Sequence, residues 1–447
     1  MSRLIVFICL LSNLSCCEKD VPVPVLSDNE LINSWIEDKM NYYYLWNDRI
    51  NAEGANKDEN PDQYFRQFTV PEDNYSHITN DFKEFLSELL ENKKTGYGYF
   101  LYSTYNDGIV GKITYVVKDS PADVAGLKRG AIFTKINGTS LSTHNYRDLT
   151  EQMLDMHTLS VRDENASETD YDILTAAFVE NPVFLDTVYN FDTCRIGYLV
   201  YNSFVSDNDD FSHEYDLLLN DIFAEFRDKN ISELILDLRY NSKGEIVNSM
   251  IMASLIVRNP DINEIYAKYQ YNKSLEQIIR SKFGDEHLNL YYTNEINNTA
   301  LNNIGDKLDR VFVLTSPKTG VIGEILINAL QLSMDVVIVG NETAGQNMFS
   351  IFLYEQDPEK QRINTWAIAP VVIQIANKAG NTDIAFSPDL EITEPLDDKS
   401  PIGSIDEKVL SMALSMISKP SPSSPNSVNE NIIRQQSPVS HIMEVDN

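Results

Sequence analysis

The chain has 447 residues, with 36 Lys plus Arg against 67 Asp plus Glu and a formal charge of −31. An apolar share of 43% with 23% charged residues fits a folded chain of about three domains and excludes a collagen-like, coiled-coil or globally disordered protein. The acidic balance also excludes nucleic acid as a partner, because phosphate binding needs a cationic footprint.

Arg3 precedes the apolar run Leu4 to Leu11, too short to span a bilayer and long enough for the core of a secretory signal. Leu14-Ser15-Cys16-Cys17 follows and resembles the lipobox of bacterial lipoproteins, with Cys17, or else Cys16, as the acylated residue. Residues 1–17 are therefore expected to be a lipoprotein signal, and 18–27, with Val21-Pro22-Val23-Pro24, a linker. The resemblance implies export and a lipid anchor in the bacterial cell envelope, periplasmic or on the outer-membrane surface. The anchor would be the only membrane contact. Three of the four cysteines fall in this leader, which leaves Cys194 without a disulfide partner. Cys194 precedes the apolar strand from Ile196 and reads as a packing residue. The six histidines form no ligand pair, and neither a metal nor a cofactor is expected.

Residues 28–93 read as an N-terminal helical domain. The apolar spacing predicts a helix over Glu30–Trp46 and a second over Phe82–Glu91, and the aromatic run Tyr42-Tyr43-Tyr44-Leu45-Trp46 reads as a buried face. Residues 94–165 change to strands and turns. Ile113 to Val117 and Ile132 to Ile136 are predicted strands, the second closed by Asn137-Gly138. Between them, Ser120-Pro121-Ala122-Asp123-Val124-Ala125-Gly126-Leu127-Lys128-Arg129-Gly130 closely resembles a PDZ domain. That resemblance implies an extended peptide added to a sheet edge, its carboxylate held by backbone amides of Gly96-Tyr97-Gly98-Tyr99-Phe100. The alternative is a module whose groove is covered by its neighbours.

Residues 171–418 alternate strands with helices. Leu234–Leu238, Val311–Thr315 and Val336–Gly340 are near-continuous apolar strands, and Gly323 to Leu332 reads as the crossover helix between the last two. Functional loops in such sheets lie at the carboxyl ends of the strands. From Lys419 the chain turns Pro/Ser-rich, and 419–447 is expected to be a disordered tail.

The whole is thus a multidomain α+β chain. It is similar to the C-terminal processing, or tail-specific, serine peptidases in their PDZ-containing lipoprotein branch. The similarity is carried by Trp35-Ile36, the PDZ run, Val179-Glu180-Asn181-Pro182-Val183, Leu236-Asp237-Leu238-Arg239-Tyr240-Asn241, Gly323-Glu324, Val339-Gly340 with Thr343, and Ser387-Pro388-Asp389. It implies a peptidase core of the crotonase-like ββα type, a serine nucleophile, a lysine base and an amide-lined oxyanion loop. Burial must depress the amine from its usual 10.4 or so before it can act as the base. In the family the nucleophile lies three residues before the Glu and the lysine ends a Thr-x-Gly-Lys motif. Here those positions are Val321 and Gln346, and the family's Asn-Gly-Gly-Gly oxyanion run is Asn241-Ser242-Lys243-Gly244. Valine has no nucleophilic atom and an amide takes no proton at neutral pH. The residues therefore point to a pseudo-peptidase that binds peptides or protein C-termini. Two alternatives remain: an active peptidase with a relocated pair from Ser316, Lys318, Ser242 and Lys243, and a non-catalytic surface accessory lipoprotein.

Overall fold

The structure, a computed structural model, describes residues 28–82, 93–178, 180–192, 194–207, 212–354, 364–382, 385–418, 432–433 and 442–443. Cys16, Cys17, the linker and nearly all of the helix expected over Phe82–Glu91 lie outside the described residues. Among the described residues no helix is long and apolar enough to cross a membrane.

The first helix runs Asp28–Tyr43 and ends three residues before the expected Trp46. It stops where the Leu45 amide turns away to donate to the Val371 carbonyl at 2.8 Å. A short helix, Pro61–Arg66, starts with Pro at its first position and with the Asn60 side chain accepting from the Asp62 amide at 3.0 Å. Trp35, Ile36, Met40 and Tyr44 pack with Tyr64, Phe65, Phe68 and Val70. The Tyr44 hydroxyl donates to Asp73 at 2.9 Å and accepts from the Val70 amide at 3.0 Å, so the buried ring carries no orphan oxygen. This cluster is completed from far along the chain by Ile368 and Val371, and the strand His77–Thr79 pairs antiparallel with Ala367–Ala369.

The PDZ-like sheet orders its antiparallel strands as Tyr97–Ser103, Ile109–Val116, Ile132–Ile136, His157–Arg162 and Glu168–Ile173. Asn137 and Gly138 take φ of +48° and +76°, as a two-residue primed turn requires, and bring Lys135 and Ile136 against Ser140 and Thr139. The helix Pro121–Val124 is capped by Ser120, whose hydroxyl accepts from the Asp123 amide at 3.3 Å.

The core is a six-stranded sheet in the order Val183–Asn190, Arg195–Tyr201, Glu233–Asp237, Arg310–Thr315, Asp335–Gly340, Leu390–Glu391. Its first pair is antiparallel and the others are parallel. The three apolar strands read from the sequence are its centre, and the helix Val321–Leu330 makes the crossover between two of them. Helices Glu214–Asp228, Ile246–Ile256 and Val321–Leu330 contribute to the apolar cluster on one face, and Lys408–Ser418 to that on the other. Covering both faces is what allows the strands to be apolar throughout. Cys194 packs, partly buried, against the second cluster. A further sheet, missed in the sequence, pairs Asn289–Tyr291, Ile265–Gln270, Val371–Asn377, Met348–Ile351 and Ile442–Met443. The tail thus has ordered pairings that its Pro/Ser composition did not suggest: Ile442 and Met443 lie parallel to Ser350 and Ile351, and Ile432 bridges to Tyr102.

Candidate functional site

Three loops leave the carboxyl ends of the central parallel strands and meet. The loop after Thr315 is sewn to the loop after Asp237. The Gly320 amide donates to the Asn241 carbonyl at 2.9 Å, the Thr319 hydroxyl to the Leu238 carbonyl at 2.8 Å, and the Ser316 hydroxyl to the Arg239 carbonyl. The third loop joins through the Ala344 amide, which donates to the Thr319 carbonyl at 3.0 Å. Glu324, fully buried in the first turn of the crossover helix, accepts from the amides of Gly345 at 2.5 Å and Gln346 at 2.8 Å. A carboxylate in the same helix turn as Val321 therefore anchors the backbone of Gly345 and Gln346.

Neither of the positions expected to carry nucleophile and base has the chemistry for that task. Val321 is the first residue of the helix, 1% exposed, and belongs to the large apolar cluster with Ile322 and Ile325. Gln346 is buried and uncharged. In the run expected to form the oxyanion loop, Asn241 is buried and its side-chain amide donates to the Tyr201 carbonyl at 2.9 Å. Ser242 and Lys243 are exposed and neither has a positive φ, whereas Gly244 has φ +138°. A Cβ on Gly244 would lie 2.3 Å from the Phe204 carbonyl oxygen, so this glycine answers to close backbone approach. Solvent reaches Lys243, yet the protein around its amine, with Lys94 as a second cation, holds its pKa below the ordinary value against the pull of Glu180.

Of the residues proposed to relocate the chemistry, Ser316 is engaged by backbone groups, whereas Ser242 and Lys318 come to one cavity. Ser316 is a buried turn residue whose hydroxyl donates to Arg239 and accepts from the Lys318 amide at 3.0 Å. Lys318 places its ammonium 4.3 Å from the Tyr99 ring centre and 5.6 Å from that of Phe100, and burial pulls it down to about 8. Ser242 and Lys318 line one cavity of about 120 Å³ with Tyr97, Gly98, Tyr99, Thr114, Tyr115 and Tyr240. Among the described residues no hydrogen bond joins a Ser hydroxyl to a Lys amine in this cleft.

The same cavity corrects the expected carboxylate loop. Tyr97 to Phe100 are not a loop: they begin the edge strand Tyr97–Ser103, paired with Ile109–Val116, and Gly96 alone keeps a left-handed φ of +80°. A Cβ on Gly98 would lie 2.2 Å from the Tyr115 ring, so glycine there lets the ring cross the strand. The structure thus brings the expected peptide-binding run against Ser242 of the expected oxyanion loop.

What fixes that juxtaposition is a buried charge network that the sequence reading missed. Lys112 of the PDZ-like sheet, 0% exposed, meets Glu394 of the core, 2% exposed, at 3.0 Å and donates to the Pro395 carbonyl at 2.6 Å. Arg129 pairs with Glu394 at 3.0 Å and donates to the Tyr240 hydroxyl at 2.9 Å, and Tyr240 donates to Glu394 at 2.6 Å. Arg239 lies between Asp237 and Glu407, 2.6 Å from each. Burial alone would raise Glu394; Arg129, Lys112 and Arg239, helped by the Tyr240 hydroxyl, overcome it and hold the carboxyl at about 2. Glu407, with burial dominant over Arg239, goes up instead. The motif Asp237-Leu238-Arg239-Tyr240 signalled half of the network; the remote carboxylates left no local signal.

The chain matches known families in sequence and solved structures in fold. The description Peptidase family S41 matches residues 195–380, Peptidase S41 N-terminal domain matches 31–77, and PDZ domain matches 112–157. A solved structure assigned as an S41 protease, from Bacteroides fragilis NCTC 9343, has a TM-score of 0.65 at 22% identity, covering 92% of this chain and 100% of that one. The photosystem II D1 C-terminal processing protease has a TM-score of 0.50 at 16% identity, covering 83% of this chain and 96% of its own. At such identities the likeness is one of fold. No curated protein sequence matches the chain.

Proposed function

For a chain that belongs to peptidase family S41, with the family's N-terminal domain and a PDZ domain ahead of its core, we propose a role in binding peptides or protein C-termini without cleaving them. The observation that carries this reading is the chemistry at the two expected positions: a buried aliphatic side chain, Val321, and a buried residue with a carboxamide side chain, Gln346, whose backbone amide donates to Glu324. Loss of a nucleophile or base from a serine peptidase costs on the order of 10⁴ to 10⁶ in rate. The solved relative that processes the D1 C-terminus supports protein C-termini as the ligand class. The lipid anchor expected at Cys17 or Cys16 would hold the binding surface at the cell envelope.

The test is a proteolysis assay on unfolded and C-terminally tagged substrates, beside a Val321→Ser, Gln346→Lys variant, with fluorophosphonate labelling in parallel. The unmodified chain is expected to cleave nothing and take no probe. Stoichiometric labelling at one site, or turnover by the unmodified chain, would overturn the reading.

One observation favours a second reading. Lys318, with its pKa brought to about 8, shares a cavity with Ser242. A relocated Ser/Lys pair would need those two groups in hydrogen-bond contact. Cleavage abolished by both Ser242→Ala and Lys318→Met would establish it.

A further inference from the structure

The edge strand Tyr97–Ser103 is the outer strand of the PDZ-like sheet, the place where a peptide would add as a further strand. It is already paired. Ile432 forms an antiparallel bridge with Tyr102, and the Ile433 amide donates to the Leu101 carbonyl at 2.8 Å. The side chains follow the alternation of a strand. Ile432 packs into the cluster of Phe100, Tyr102, Val110 and Tyr240, at the joint between the sheet and the core. Ile433, on the opposite side, packs against the interior cluster of the PDZ-like domain, which contains Leu101, Leu149 and Met153. A backbone bridge with two apolar contacts on opposite sides is the pattern of strand addition, and the bridging segment comes from the chain's own tail.

We infer that Ile432 and Ile433 occupy the peptide groove in cis, so that the binding module is self-capped and an incoming peptide must displace the tail. The preferred ligand is accordingly an extended segment with two adjacent aliphatic residues. A tethered occupant acts at an effective concentration on the order of 1 mM, so a free peptide with an intrinsic Kd of some tens of micromolar would bind the capped chain at least about tenfold more weakly. The inference rests on the peptide-binding half of the proposed function and is independent of whether the chain cleaves.

A fluorescein-labelled peptide of residues 427–436 and a scrambled control are titrated by anisotropy into three proteins: the full mature chain, a chain ending at Ser418, and the full chain carrying Ile432→Asp with Ile433→Asp. The truncated chain and the double variant are expected to bind the peptide at least tenfold more tightly than the full chain and to ignore the scrambled one. Equal affinity in all three proteins, or binding by neither altered protein, would overturn the inference. The double variant keeps the test decisive if truncation disturbs folding. Because the readout is binding, labelling by the fluorophosphonate probe would refute the loss of catalysis and leave this result standing.

Discussion

Glu394 is the residue on which the joint between the PDZ domain and the core turns, and Glu394→Gln is the perturbation that tests it. The amide is isosteric but uncharged, so Lys112, fully buried, loses its counter-ion, and Arg129 loses its nearest anion. Leaving a buried charge unpaired costs about 3–5 kcal/mol. Lys112→Met is milder, because Glu394 retains Arg129 at 3.0 Å and the Tyr240 hydroxyl at 2.6 Å; about 1–3 kcal/mol is expected. Amide hydrogen exchange read by mass spectrometry over the segments around Ile113, Ala131 and Leu396 reports local opening directly. Glu394→Gln should speed exchange there by between about 10² and 10⁴ at neutral pH, at about tenfold per 1.36 kcal/mol. The pH dependence follows from the sign of the shift. Glu394 falls from 4.5 in the unfolded chain to about 2 when folded, so its contribution, about 3 kcal/mol, is complete above pH 4.5 and is lost as pH falls towards 2. Glu407, shifted upward partly by Glu394 itself, works in the opposite sense, and Glu394→Gln also removes that part of its shift. A change of less than fivefold at neutral pH, or a larger effect from Lys112→Met than from Glu394→Gln, would refute the reasoning.

Lys318 is protonated less readily in the folded chain than in the unfolded one, so stability should rise with pH between about 8 and 10.5. Lys318→Met should flatten that rise in urea titrations; an unchanged slope would count against a buried amine. For the leader, Cys17→Ser combined with Cys16→Ser should move the protein from the membrane fraction to the soluble fraction and remove metabolic labelling by palmitate. Retention of the label would place the lipid elsewhere.

Features with a local period or a local turn chemistry were readable in advance. The strands around Ile235, Val313 and Ile338 are short apolar runs because both faces of the sheet are covered, and Asn137-Gly138 announces its hairpin through the φ it tolerates. The tie between the helix start and the loop after Gly340 had no local signal, since nothing in the sequence shows Glu324 bridging to the Gly345 and Gln346 amides. What escaped was non-local. Lys112 and Glu394 are 282 residues apart and no periodicity links them. The run after Gly96 suggested a loop because its glycines did, whereas Gly98 serves to let the Tyr115 ring pass. The Pro/Ser-rich composition of the tail concealed Ile432-Ile433, a pair too short to register as a strand.

The N-terminal cluster around Trp35 and Tyr64 borrows Ile368 and Val371 from the core, and the Ser76 hydroxyl accepts from the Val371 amide across 295 residues of chain. During synthesis, at about 5–20 residues per second, the first module waits roughly 15–60 s for the residues that close it. Its apolar side stays uncovered over that interval. Such a delay favours a chain that is kept unfolded and handed on by chaperones before it sets, and it makes the earliest module to leave the ribosome among the last to become native.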